Sequence, residues 1–225
     1  MRGVAARLDK PKLGRPVDPE LGTRRREEIL DAAARLFARH GYSETDTQLL
    51  ADQLQVGKGT IYRYFRSKRE LFLAAVDRVM RKLREQIDAG MVGSDDALER
   101  IERAVHAYLR FFADNPDFVE LLIQERAQFR DRKKPTYFEH RDRNVERWRD
   151  MYRELIAQGR VRDMPVERIT NVFSQALYGT IFINYFTGEH KPHEQQARDI
   201  LDVVFHGILT EKEARRSRPG RTNHA

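Results

Sequence analysis

The chain has no cysteine. Disulfides, cysteine-held zinc and thiolate nucleophiles are therefore excluded, and the redox compartment stays undecided, although a reducing cytosol suits such a chain. Also missing is any run of about 18 apolar residues, the length a helix needs to cross a bilayer. The basic opening MRGVAARLDKPKLGRP lacks the apolar stretch of a signal peptide, so the expectation is a soluble, cytoplasmic protein. Neither strand patterns nor an internal repeat can be found, which leaves an all-α class. No nucleophile, metal or cofactor motif stands out and no pair of acids can be singled out for catalysis, so the chain reads as a non-enzyme without a cofactor.

What is present begins with length and charge. The 225 residues are 40% apolar, enough for one large or two small domains with a core that needs no covalent staples. The net charge of +7 is unevenly placed. Residues 1–90 hold 19 lysines and arginines against 13 aspartates and glutamates, residues 91–210 hold 18 against 20, and residues 211–225 hold 5 against 2. A basic front and tail on a slightly acidic body point to a polyanion held by the N-terminal part. On charge alone, a solvated charged face explains the excess equally well.

Residues 1–22 carry three prolines and three glycines without apolar periodicity and read as a flexible basic arm. Helix follows helix thereafter. Ile29, Ala33, Leu36 and Phe37 share one face of a helix from about Thr23 to His40, ended by Gly41 as a left-handed cap. Asp46 is the N-cap of a short helix to about Leu54, and a second short helix covers Gly57 to Phe65. Ser67 and Glu70 form a capping box opening a helix over 68–89, with Leu71, Phe72, Ala75, Val76, Val79, Met80, Leu83 and Ile87 as its stripe. Further helices are expected from about Asp95 to Asp114 and from Pro116, after the cap Asn115, to about Phe129. Another is expected from a Thr136/Glu139 capping box to Gly159, then from Pro165 to Thr187 and from Pro192 to Thr210, before a disordered basic tail at 211–225.

Two short helices joined by a tight turn, with a third before them, are the parts of a helix-turn-helix. Leu50, Ala51, Leu54, Val56, Ile61 and Phe65 suit its inner face, leaving Lys58, Gly59, Thr60, Tyr62, Arg63 and Tyr64 outside, a polar, aromatic and basic set fit for phosphates and base edges. The glycines at 57 and 59 let backbone amides approach a phosphate closely. GKGT at 57–60 is not a phosphate-binding P-loop, because Asp52 stands where that motif needs its first glycine. His190 and His193 lack the further ligands a metal requires, and Asp95, Asp96, Glu99 and Glu102 read as an acidic helix start complementing the helix dipole.

At this point the chain resembles the TetR family of bacterial transcriptional regulators, through GRP near the start, ILDAAARLFARHGY at 29–42 and VGKGTIYRYFRSKRELF at 56–72. The resemblance implies that residues 58–65 are a recognition helix, with DNA contacts from Lys58, Thr60, Tyr62 and Tyr64 and phosphate support from Thr45, Thr47 and Lys68. Gly14, Arg15 and Pro16 look like the N-terminal arm that some members use. Two departures stand out: a small hydroxyl residue is common in the family where Gly57 stands, and glycine is common where Gln55 stands. The division implied is a helix-turn-helix domain at 23–67 and an effector-binding and dimerising helical domain at 68–210.

In that second part, Tyr108, Phe111, Phe112, Trp148, Tyr152, Phe173 and Tyr178, with Gln124 and Glu125 among them, are read either as core or as the lining of a pocket for a small, mainly apolar effector. Val172, Ala176, Gly179 and Ile183 form a narrow stripe, and Leu201, Val204, Phe205 and Ile208 supply bulk against it, which predicts a homodimer closed by a four-helix bundle. The expected function is repression from a palindromic operator, released by the effector. An activator or partner-controlled regulator of the same fold and a basic helical enzyme are the alternatives.

Overall fold

The computed structural model describes residues 19–188 and 191–207. Among them the chain forms nine helices and no strand. Helix α1, Pro19–Glu44, begins four residues before the expected start, inside the stretch read as an arm; a proline at a first helical position gives up an amide that has no partner there anyway. Ile29, Ala33 and Phe37 are buried as their spacing predicts. Gly41, at φ +81° and ψ 161°, breaks the helix where a cap was expected, and one further turn follows.

Helix α2, Thr47–Gln53, is capped by Asp46, whose carboxylate accepts from the Gln48 amide at 2.8 Å. Its exit is a Schellman turn: the Val56 amide donates to the Ala51 carbonyl and the Gln55 amide to the Asp52 carbonyl, which satisfies the helix's last carbonyls. The left-handed residue in that turn is Gln55, at φ +53°. Helix α3, Lys58–Tyr64, has Gly57 as an N-cap without a side chain to accept. Leu50, Ala51, Ile61 and Phe65 are buried beneath the pair.

Helix α4, Lys68–Gly90, starts at the expected cap, the Ser67 hydroxyl accepting from the Glu70 amide at 3.1 Å. Glu70 reaches back to the Arg66 amide rather than to that of Ser67. Then come α5, Ala97–Asp114, α6, Phe118–Gln128, α7, Thr136–Ala157, α8, Val166–Thr187, and α9, His193–His206. Asn115 does not cap α6: its side-chain amide donates to the Phe111 carbonyl at the end of α5. Nor do Thr136 and Glu139 form a capping box, because Glu125 takes both the amide and the hydroxyl of Thr136 while Arg132 takes Glu139.

α1 packs against α4 and α6, α4 against α5 and α7, α7 against α8, and α5 against α9. A single buried cluster runs from the helix-turn-helix into the later helices. Its junction is aromatic, with Phe72 edge-on to Phe37 and Tyr42, and Phe129 of the α6–α7 connection resting on Tyr42 and Phe72.

Candidate DNA-binding surface and effector cavity

On α3 only Ile61 is buried, and Gly59, Tyr62 and Arg63 are exposed while Lys58, Thr60 and Tyr64 are half-buried. Lys58 Nζ stands 2.9 Å from Asp46 Oδ1. The hydrogen bond to Asp46 raises the Lys58 ammonium above its ordinary value, and Asp46 is held low by the Gln48 amide and by Lys58. The Tyr62 hydroxyl lies 3.1 Å from Thr47 Oγ1, which fixes where the exposed ring points.

Thr45 and Thr47, expected at phosphates, are buried, and the Thr45 hydroxyl donates to the Gly41 carbonyl. Lys68 holds the Ser43 carbonyl at 3.0 Å and lies over the Tyr42 ring. Thr45 and Lys68 brace the connection between α1 and α2, Thr47 holds Tyr62, and Arg15 lies outside the described residues.

α4 is tied to this unit along one side. Arg78 meets Glu27 at 2.7 Å and Asp31 at 3.0 Å, Lys82 meets Asp31 at 2.8 Å, and Arg81 meets Glu27 at 3.3 Å. Burial pushes the Asp31 carboxyl up, but hydrogen bonds from Arg78 and Lys82 outweigh it and hold the group below its ordinary value. A second tie runs through α6, where Gln124 Oε1 accepts from the Tyr42 amide at 2.6 Å and Gln124 Nε2 donates to Glu120. Glu120 also accepts from the Tyr185 hydroxyl of α8, and that bond drives the phenol up to about 12. Gly41 beside it is favoured by its positive φ of +81°, while an added Cβ would make only ordinary contact with Gln124.

Gln124 and Glu125 tie helices together and are not among the residues around the cavity between α4, α5, α7 and α8. Gln124 joins the helix-turn-helix to α6, and Glu125, 1% exposed, pins Arg132 and Thr136 at the entry to α7.

A cavity of about 230 Å³ does lie among α4, α5, α7 and α8. Of the aromatics left open between core and pocket, Tyr108, Trp148, Tyr152 and Phe173 line it. Phe111 and Phe112 instead pack on each other and on Phe118 and Tyr108, and Tyr178 packs on Tyr137, Phe138 and Phe182. The sequence reading missed Met80, Leu83 and Ile87 as lining, although it had placed them on one stripe of α4, and missed Arg84, Arg141, Arg147 and Arg149 altogether. The Tyr108 and Tyr137 hydroxyls meet at 2.9 Å in the wall; burial raises both phenols, that of Tyr137 to about 12.

On α8 and α9 an apolar face is left uncovered: Val172, Ile183, Phe186 and Val203 are 45%, 61%, 69% and 50% exposed. Gly179 lies along it with nothing within 4 Å of an added Cβ. Ala176 and Val204 are half-buried, whereas Leu201 is buried within its own chain and Phe205 packs edge-on against Phe173. Ile208 lies outside the described residues, as does His190. Among the described residues no cluster of side chains could hold a metal, and no helix is long and apolar enough to cross a membrane.

Two family models match this chain: "Bacterial regulatory proteins, tetR family" over residues 29–75 and "Tetracyclin repressor-like, C-terminal domain" over residues 94–208. The regulator YhgD of Bacillus subtilis is 32% identical over 118 residues, covering 48% of this chain and 62% of YhgD. The nucleoid occlusion factor SlmA of Vibrio campbellii is 30% identical over 154 residues, covering 64% of this chain and 74% of SlmA. Among solved structures, the regulator FadR of Bacillus subtilis in complex with stearoyl-CoA superposes with a TM-score of 0.67 at 18% identity, covering 81% of this chain and 98% of FadR, a likeness of fold. With both models matched in chain order, the first on the helices that carry Lys58 and Tyr62 and the second on those around the cavity, the chain belongs to the TetR family of bacterial regulatory proteins.

Proposed function

We propose that the chain is a cytoplasmic, homodimeric repressor that binds a palindromic operator through α2 and α3 and is released when a small, mainly apolar effector enters the cavity. Residues 23–67 form the DNA-binding domain, and 68–210 form the effector-binding and dimerising one. The observation that carries this reading is the double duty of α4. Leu71 and Phe72 in its first turns are buried against the DNA-binding helices, and Met80, Leu83, Arg84, Ile87 and Asp88 further along line the cavity.

The 23 residues of α4 make a lever of about 34 Å at 1.5 Å each. Two half-sites on one face of DNA must lie about 34 Å apart or a multiple of it, so a tilt that moves each recognition helix by a few ångströms prevents simultaneous docking. The ion pairs from Arg78, Arg81 and Lys82 to α1 make the DNA-binding helices follow α4 as it moves. An effector that prefers the splayed state a hundredfold supplies about 2.7 kcal/mol of coupling. An apolar acyl chain, as in the stearoyl-CoA bound by FadR, suits the apolar lining.

Selection of bound fragments from random DNA tests the reading. An inverted repeat whose halves lie a whole number of turns apart is expected; a single asymmetric motif, or no enrichment, would overturn it.

A further inference from the structure

We propose, resting on the effector reading above, that the cavity takes a compact organic carboxylate whose apolar body lies along α4 and α5 and whose head group is received by Arg149.

The two walls differ in chemistry. On one side Met80, Leu83, Ile87, Ile101 and Val105 present only hydrocarbon and thioether. On the other, α7 contributes Arg141, Arg147 and Arg149, joined by Arg84 from α4, and the only carboxylates in the lining are Asp88 and Asp142. Both of these are already shared: Asp88 between Arg84 and Arg147, Asp142 between Arg141 and Lys134. Within the lining four cations face two anions, an excess that Glu146 and Glu167 behind Arg149 reduce, and the remainder favours an anionic guest over a cationic one.

Arg149 is the residue left incomplete. Its Nη1 donates to Glu146 at 3.1 Å, but its Nε is buried with no hydrogen-bond partner, the Glu167 carboxylate standing 3.9 Å away. A buried donor loses its hydration and gains nothing in return, so an acceptor in the cavity that a small shift of the Arg149 side chain brings to Nε binds with an advantage. The Nε edge of a guanidinium is one that a carboxylate can engage with two parallel hydrogen bonds. With its side chain 28% exposed, Arg149 sits where a head group keeps partial contact with water. About 230 Å³ of free space, at about 10–15 Å³ per water, leaves room for a small organic acid such as octanoate.

Trp148 is the chain's one tryptophan and lines this cavity, so its fluorescence reports occupancy without reference to DNA. The full-length protein is titrated with octanoate and with the neutral isostere octanamide. An ion pair with the guanidinium in place of a bond from it to a neutral carbonyl predicts about tenfold tighter binding of octanoate. Arg149→Gln should abolish the preference, octanoate losing about tenfold and octanamide much less, with residual octanamide binding showing that the cavity is intact; Arg149→Lys should keep part of the preference.

Equal binding of the two compounds by the unaltered protein would overturn the carboxylate inference while leaving the cavity an effector site. Tighter binding of octanoyl-CoA, untouched by Arg149→Gln, would overturn it too, by placing the recognised group outside the cavity. No Trp148 response to either compound also defeats it, whereas the effector reading itself is judged separately, by whether any neutral or larger ligand releases DNA.

Discussion

Replacing Gly179 with arginine should have opposite effects on the protomer and on the dimer. Within one chain the new side chain meets open space, since nothing lies within 4 Å of an added Cβ. Arginine in a helix interior is favoured over glycine by roughly 0.8 kcal/mol, so the protomer should become slightly more stable. In the proposed dimer Gly179 lies on the face that carries Val172, Ile183 and Phe186, and two-fold symmetry brings two guanidinium groups into an apolar contact. A buried charge left without a partner costs about 3–5 kcal/mol. Two of them cost at least about 6 kcal/mol, which weakens the dimer about ten-thousandfold. Sedimentation at micromolar concentration should then show a folded monomer, and operator affinity should collapse because both half-sites can no longer be held at once. Gly179→Ala, which adds one methyl, is the control and should remain a dimer. If Gly179→Arg still sediments as a dimer, the α8–α9 face is not the interface.

Gln55→Gly should raise stability by up to about 1 kcal/mol in urea unfolding, because a side chain in the left-handed region at φ +53° costs about 1–2 kcal/mol and glycine's extra freedom in the unfolded chain returns only part of that; a loss of stability would contradict this. Lys58→Ala and Tyr62→Ala should each weaken the selected operator about tenfold or more, whereas Lys68→Ala, which frees the Ser43 carbonyl and loosens the turn before α2, should weaken all sequences alike; unchanged binding by both recognition-helix variants would move the contact elsewhere. Asp31, depressed in the folded state by Arg78 and Lys82, contributes stability that is present above its unfolded value near 3.8 and is lost as pH falls through the lower folded value. Asp31→Asn should therefore flatten the acid limb of a stability-against-pH curve, and a limb of unchanged slope would remove Arg78–Asp31 from the account.

The helix-turn-helix was legible because its signals are local. The Asp46 and Ser67 caps, the tight turn and the inner-face residues Leu50, Ala51, Ile61 and Phe65 all lie within about twenty residues of one another, and each level of the pattern agrees with the next. The Thr136/Glu139 capping box failed for the converse reason. Its groups were claimed by Glu125 and Arg132, residues of the preceding helix and connection that no local pattern names.

Gln124 and Glu125 show how little adjacency says about destination. Successive residues on a helix point about 100° apart, so one met the Tyr42 amide and its neighbour turned into the α6–α7 junction. The cavity was half-read, because four helices line it and the sequence orders none of them in space. On α9 the periodicity marked apolar positions without saying which stripe serves the chain's own core. Leu201 and Phe205 went inward, and Val203, not singled out, is the exposed one.

In the proposed mechanism effector binding changes the separation of two recognition helices through α4. The absence of cysteine means that a single introduced one takes a spin label uniquely, and exposed Gln53 at the end of α2 is a suitable place for it. Pulsed electron–electron distance measurement on the Gln53→Cys dimer should give a narrow distribution on the selected operator. With the ligand that perturbs Trp148, the mean should shift by several ångströms as DNA is released, and Arg149→Gln should require more octanoate for the same shift. Release of DNA with the label-to-label distance unchanged would contradict the lever.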